Sequence, residues 1–332
     1  MPGTTENRLV GPVEGTESKG EVNPLPPRQP TSLQGLLRFA MEATKSEDAP
    51  NASNFEPMDE ERKKFLEDAL KSMTIDVIEV LQKQIHKLKL VGQLKPGDNV
   101  EEYIEAIETI SDYVDHIDTA NDFHKIGGFM ILEPCIKCSV AEIRAGGCEL
   151  IALLAQNNPY CQRIFTDNKF LLYLKDILMQ DKDVSVITKA IYAISCIIRE
   201  NYEGYTQFIA MNGIQCLLTC MQTTKNEKII VKAAFLLSNL CKSYPQLKLE
   251  LMQKDCFKLL IPILDEERNQ GHEFALALLV TILEDNDSGV KEVLKPVYKF
   301  KDMLLKYRSS ILNRDECLEE EQYVRRLLHL IG

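Results

Sequence analysis

Ten cysteines and five histidines are the side chains of this 332-residue chain best suited to hold a metal or attack a substrate. Their spacing organises neither chemistry. His86, His116, His124, His272 and His329 are scattered, with no His-Glu-x-x-His run among them. Cys135-x-x-Cys138 is a single pair, whereas a structural zinc site needs four converging ligands. No Gly-x-x-x-x-Gly-Lys-Ser/Thr loop, Gly-x-Gly-x-x-Gly loop or Gly-x-Ser-x-Gly turn occurs to cradle a phosphate or present a nucleophile. Carboxylates are many, yet none is marked by its spacing as half of an acid/base pair. These absences point to a protein that is not an enzyme and that needs no cofactor or metal.

A different chemistry, recognition of another protein, does have a pattern. Lys189, Tyr192, Ser195, Cys196, Arg199 and Glu200 interrupt one apolar run, and Lys232, Phe235, Ser238, Asn239, Lys242 and Ser243 interrupt another. Steps of three and four place each set on one face of a helix. A polar stripe is most often just the solvated side of a helix, but two aromatics beside Arg199 and Lys242 carry the Tyr and Arg enrichment of protein interfaces. Aligned across neighbouring segments, the column reads Glu108, Glu149, Tyr192, Phe235, Ala277 at one height. Two turns away it reads Asp115, Gln156, Arg199, Lys242, Glu284. Asp112 adds to the acidic end.

The elements that must carry this column repeat. Gly147, Ala190, Ala233 and Ala275 recur at intervals of 42 or 43, and the residues after each correspond in type, from Ile151-Ala152-Leu153-Leu154 to Leu279-Val280-Thr281-Ile282. About twenty residues earlier in each unit a turn leads into an apolar helix, at Gly128-Phe129, Lys169-Phe170, Gly213-Ile214 and Cys256-Phe257. A fainter copy surrounds Ala106-Ile107-Glu108. Units of 40 to 47 residues built from two or three helices are those of armadillo or HEAT solenoids, in which each unit buries its faces only against its neighbours. The expected fold is all-α: an armadillo-like right-handed superhelical solenoid with helical caps and a disordered N-terminal arm. In such a stack the last helix of each unit lines the concave groove, which makes the column a groove.

Composition bounds the rest. Apolar residues make up 45% of the chain, enough for a large core, while Trp is absent. The net charge is −11, with no long basic run of the kind that neutralises phosphates, so neither nucleic acid nor membrane is an expected partner. No stretch approaches a membrane span, and the polar N-terminus has no secretory signal region. The cysteines therefore read as reduced thiols packed in helices, in a protein of the cytosol or nucleus. Residues 1–57 are Pro-rich and aromatic-poor and read as a disordered arm. Within it Leu33, Leu36, Leu37, Ala40 and Met41 form the stripe of a short amphipathic helix at 32–44, either docked on the solenoid or serving as a binding motif. Residues 58–100 read as an N-terminal cap, with Phe65 and Leu66 on a buried stripe, 101–295 as the repeats, and 296–332 as a C-terminal cap. Capped solenoids are usually monomers.

From about residue 31 onward the chain resembles the armadillo-type nucleotide exchange factors of cytosolic heat shock protein 70, the heat shock protein 70-binding protein type. The resemblance runs through Ser32-Leu33-Gln34-Gly35-Leu36-Leu37, Glu56-Pro57-Met58-Asp59-Glu60-Glu61-Arg62, Asp118-Thr119-Ala120-Asn121-Asp122-Phe123, the segment Lys189 to Glu200 and the segment Lys232 to Leu240. It implies a co-chaperone whose groove grips the chaperone's ATPase domain and opens the nucleotide cleft so that ADP leaves and client is released. It also implies that the Leu33 to Met41 helix engages the substrate-binding domain. The competing expectation is an armadillo adaptor or scaffold for an extended peptide or an enzyme. Such grooves use Trp-x-x-x-Asn ladders, which only Phe235-x-x-x-Asn239 approximates.

Overall fold

The computed structural model describes residues 60–61, 63–66 and 76–332. The arm expected over 1–57 and its helix over 32–44, with Leu33, Leu36, Leu37, Ala40 and Met41, lie outside the described residues. Residues 60–61 and 63–66 are helical, and Phe65 and Leu66, expected on a buried stripe, are exposed. Residues 76–332 fall in a unit of their own.

Every regular element among the described residues is a helix. In this unit the first is α1 (Val77–Leu88), nucleated by Asp76, whose carboxylate accepts from the N–H groups of Ile78 and Glu79 at 3.0 and 3.1 Å. Glu79 in its first turn and Lys87 in its last complement the helix dipole. A 3-10 turn at Val91–Gln93 leads to α2 (Glu101–Val114). Three-helix units follow. The first comprises α3 (Ile117–Lys125), a 3-10 turn at Gly128–Ile131 running into α4 (Leu132–Ile136), and α5 (Ala141–Ala155). The second is α6 (Pro159–Asp167), α7 (Phe170–Gln180) and α8 (Val184–Ile198); the third is α9 (Tyr202–Ala210), α10 (Gly213–Thr224) and α11 (Glu227–Ser243). The fourth is α12 (Leu247–Gln253), α13 (Cys256–Leu260) with a 3-10 turn at Ile261–Asp265, and α14 (Gly271–Leu283). The fifth is α15 (Asp287–Val293), α16 (Phe300–Ile311) and α17 (Leu318–Ile331), the same three helices in the same order, with α15 still inside the segment expected as repeats and only α16 and α17 in the segment expected as a cap.

A single backbone device joins the first two helices of each unit. Gly127, Lys169, Asn212, Asp255 and Lys299 all adopt the left-handed conformation, with φ of 85, 64, 60, 55 and 45°. Just ahead of them Phe123, Phe165, Phe208, Leu251 and Val293 are fully buried. In the first and third units the turn closes directly over the aromatic ring. At Gly128 and Gly213 an added Cβ would stand 2.5 and 2.3 Å from the rings of Phe123 and Phe208, which is why no larger side chain serves there. The recurring anchors at Gly128 and Gly213 are thus the residues that let ring and turn touch.

The third helices form the inner ladder. α2 packs on α5, α5 on α8, α8 on α11, α11 on α14 and α14 on α17. Their buried sides are almost wholly aliphatic: Ile143, Leu150, Ile151 and Leu154 of α5 and Val186, Ile187, Ile191 and Ile194 of α8 are all 2% exposed or less. Each such side chain contributes about 1.5 to 3 kcal/mol through removal from water. Polar ties hold the units in register at their edges. Arg144 grips the Asp181 carboxylate with two N–H groups at 2.7 and 3.0 Å and donates to the carbonyls of Cys138 and Ser139. Burial alone would raise the Asp181 carboxyl, but the guanidinium holds it below its ordinary value. Arg268 grips buried Glu320 in the same way, and the Tyr307 hydroxyl donates to the same carboxylate.

Candidate partner-binding face

The ladder helices start and stop by rule. Asp183 caps α8 through the N–H groups of Ser185 and Val186, and Asn226 caps α11 through that of Lys228. At the other end, α5, α8 and α14 finish with an extended residue, Gln156, Arg199 or Glu284, with ψ of 114, 124 and 132°. A left-handed residue follows, Asn157, Glu200 or Asp285. An asparagine then caps the next helix: Asn158, Asn201 and Asn286 accept from the N–H groups of Cys161, Gly204 and Gly289 at 3.3, 3.1 and 3.1 Å. The extended residue turns its side chain out of the helix at the rim of the ladder.

The residues singled out by the sequence fall along this face, except that Ser238, at 8% exposed, and Cys196 are buried. Glu108, Asp112 and Asp115 are exposed on and just after α2. Glu149 of α5 forms an ion pair with Lys189 of α8. The Tyr192 hydroxyl donates to Gln156 Oε1 at 2.6 Å, and Lys232 of α11 stands 5.8 Å from the centre of the Tyr192 ring, within cation–π reach. Phe235 is 49% exposed, an uncovered aromatic in the middle of the ladder, with half-buried Asn239 one turn on. Arg199, Glu200 and Lys242 are exposed at the rim. Cys196 is the more deeply buried of the two: it is 3% exposed, with the Tyr192 side chain one turn earlier beside its thiol. Burial raises its thiol above the ordinary value, so it is a neutral packing residue and not a contact for a partner. Burial likewise raises the Tyr192 phenol, which stays a neutral donor to Gln156.

These pairings sort the charges. Lys189 and Glu149 neutralise each other, leaving Arg199, Lys232 and Lys242 as the cations without an ion-pair partner among the described residues, opposite Glu108, Asp112 and Asp115 at the other end. The ladder also continues further than the sequence column does. Arg326 of α17 forms an ion pair with Glu284. Its helix lacks the alanine anchor by which the earlier units align, so nothing in the spacing marked it. The Cys135 and Cys138 pair is buried, with the Cys138 thiol donating to the Val91 carbonyl at 3.3 Å. No cluster of three metal-ligating side chains occurs among the described residues.

Missed from the sequence altogether were the side chains that tie the first helix of a unit to the end of its third. In the second unit the Gln162 amide donates to the carbonyls of Ala155, Cys196 and Arg199 at 3.2, 2.9 and 3.2 Å. In the third unit the rings of Tyr205 and Tyr244 stack at 3.8 Å. In the fourth, Lys248 Nζ donates to the Glu284 carbonyl at 2.7 Å. Apart from the Gln162 bond to Ala155, seven residues away, these ties span more than thirty residues each, and they differ in chemistry, so no repeated letter announces them.

Residues 33–123 match the family model described as nucleotide exchange factor Fes1, and residues 119–246 match that of the SIL1/FES1/HPBP1 C-terminal domain. The two meet in α3. Hsp70-binding protein 1 of Mus musculus is 30% identical over 312 residues, covering 91% of this chain and 86% of that protein. The chain belongs to the Hsp70-binding protein 1 family. A more distant relative of this family member, the Hsp70 nucleotide exchange factor FES1 of Candida albicans, is 26% identical over 160 residues, covering 46% of this chain and 54% of that protein. Among solved structures, computationally designed armadillo repeat proteins for modular peptide recognition superpose with a TM-score of 0.58 at 17% identity, covering 77% of this chain and 100% of the other. A designed armadillo repeat protein in complex with a (KR)4 peptide gives 0.57 at 16%, covering 78% and 100%. The armadillo-like fold of this family member is thereby matched. No helix among its described residues is long and apolar enough to cross a membrane.

Proposed function

We propose that this chain is a co-chaperone, a nucleotide exchange factor that binds the ATPase domain of heat shock protein 70 through the ladder face and promotes release of ADP and then of client. The observation that carries the reading is the face itself: exposed Phe235 between Lys232 and Lys242 on α11, with Arg199 exposed at the end of α8 and acidic Glu108, Asp112 and Asp115 on and after α2, on a member of a family whose relatives are Hsp70-binding and exchange proteins. No covalent chemistry is required of such a factor. If it prefers the nucleotide-free ATPase domain, its binding weakens that of ADP by the same ratio as ADP weakens its own. Each ~1.4 kcal/mol of preferential stabilisation of the open cleft in the transition state gives about tenfold in ADP off-rate.

In this reading Glu108, Asp112, Asp115, Glu149, Gln156, Lys189, Tyr192, Arg199, Glu200, Lys232, Phe235, Asn239 and Lys242 line the groove. Residues 101–295 form the repeats between caps at 58–100 and 296–332, and the arm over 1–57 presents Leu33, Leu36, Leu37, Ala40 and Met41 to the chaperone's substrate-binding domain. The factor works as a cytosolic monomer and does so without a cofactor. The test is release of a fluorescent ADP from heat shock protein 70 with and without the protein. Acceleration is expected, and its absence at saturating protein overturns the reading. Arg199→Ala, or Tyr192→Ala with Phe235→Ala, is expected to weaken chaperone binding while the far-UV circular dichroism stays unchanged. Undiminished exchange by these variants would move the binding site off the ladder face.

A further inference from the structure

We infer that Gln162, which no part of the ladder face contains, is a positioning residue for Arg199 and thereby for the rim of that face. The inference rests on the function proposed above for its binding readout but on geometry for its cause. Gln162 lies on α6 and is 5% exposed. Its amide shares two N–H donors among three carbonyls: those of Cys196 and Arg199 in the last turn and corner of α8, and that of Ala155 in the last turn of α5. The last carbonyls of a helix have no partner within the helix, and one side chain here reaches the ends of two neighbouring ladder helices, the Ala155 carbonyl accepting also from the Asn158 N–H at 3.3 Å. Two of these carbonyls bear directly on rim residues. Ala155 precedes Gln156, which accepts from Tyr192, and the Arg199 carbonyl sets the backbone direction into left-handed Glu200.

The surrounding contacts make this a defined position. Thr166 Oγ1 donates to the Gln162 carbonyl at 2.9 Å, Asn201 Nδ2 donates to Thr166 Oγ1 at 3.3 Å, and Gln207 Nε2 donates to the Thr166 carbonyl at 3.3 Å. On the other side Asn158 Nδ2 donates to Asn121 Oδ1 at 3.1 Å. A polar seam thus flanks the corner through the first three units, and Gln162 is the member that reaches the ladder. The residues four places after the other cap asparagines, Tyr205 after Asn201 and Val290 after Asn286, carry no amide, and at the Glu284 corner a cation, Lys248, reaches the carbonyl instead, so the amide device belongs to the Arg199 corner.

The test is a double-mutant cycle between Gln162→Met, which keeps the side chain's shape and removes its donors, and Arg199→Ala, read as affinity for heat shock protein 70. Gln162→Met is expected to weaken binding roughly tenfold in the wild-type background, as loss of buried donors to several carbonyls does. In the Arg199→Ala background it is expected to change binding less than about twofold, because sites that act through one another are not additive. A merely structural role would give the same factor in both backgrounds and would overturn the inference. Amide hydrogen exchange supplies a readout that needs no chaperone. In Gln162→Met the N–H groups of Gly204 and Tyr205 are expected to exchange faster while those of Gly289 and Val290, at the matching corner of the fifth unit, do not change. Equal behaviour of the two corners overturns the inference even if the wild-type protein fails to bind heat shock protein 70, a failure that by itself counts only against the proposed function. Should Gln162→Met not fold, Gln162→Asn retains the amide but falls one methylene short of the carbonyls, and the same two measurements apply.

Discussion

The corner that ends the second unit and the corner that ends the third do the same job with opposite chemistry. At Arg199-Glu200-Asn201 the chain turns on a left-handed residue and an asparagine cap, and an amide holds the exposed carbonyls. At Ser243-Tyr244-Pro245-Gln246 there is no left-handed residue and no asparagine; α11 runs on to Ser243, and Tyr244 instead stacks on Tyr205, with Tyr202 exposed alongside. The first corner is directional, since each hydrogen bond fixes an angle. The second is held by contact area between rings, which tolerates rotation. Solenoid geometry therefore constrains where the chain must return, and leaves open which interaction returns it.

The comparison is broken most severely at Tyr205. Tyr205→Ala removes a nearly buried ring and its stacking partner's support, and is expected to cost ~3 to 5 kcal/mol in denaturant unfolding; a loss below about 1 kcal/mol would mean the stack is incidental. Asn201→Ala at the other corner removes the cap to Gly204 and the bonds to Ile197 and Thr166, with an expected cost of about 2 kcal/mol in the same measurement. Alkaline pH separates the two corners without destroying either. Burial, with Glu250 and Tyr244 nearby, pushes the Tyr205 phenol up to about 12. The unfolded chain then loses its proton first, so the folded state binds more protons between about 10 and 12, and stability falls as pH rises through that window. Tyr205→Phe is expected to abolish that part of the alkaline loss, on the order of 1 to 2 kcal/mol, while Asn201→Ala leaves it intact.

Much of this architecture was legible in the sequence for a reason the structure makes plain. The anchors at Gly128, Phe170, Gly213 and Cys256 recur because each must follow a left-handed turn closed over a buried side chain, and few residue types meet both conditions. The column from Glu149 to Phe235 was legible because helical periodicity records which side of a helix is not aliphatic. Periodicity does not say how far a neighbouring helix reaches, which is why Cys196, one turn from Tyr192, was assigned to the face and lies under it. Nor does it find Gln162 or Tyr205, whose partners are supplied by a distant turn. It overlooked Arg326 because α17 keeps the geometry of a ladder helix without its small-residue anchor.

The left-handed turns at residues 127, 169, 212, 255 and 299 stand 42 to 44 residues apart. That near-constancy bears on which insertions and deletions the chain can accept. One residue added inside a ladder helix would rotate everything beyond it by about 100° and carry the rim residue away from the side chain that holds it. The links between second and third helices behave otherwise: Asp181–Asp183 is three residues long, 225–226 is two and Glu266–Gln270 is five, and the ladder keeps its register through all of them. Length variation between the units is thus absorbed at the end of each ladder helix remote from the Arg199 rim, while the rim links after the first stay at three residues.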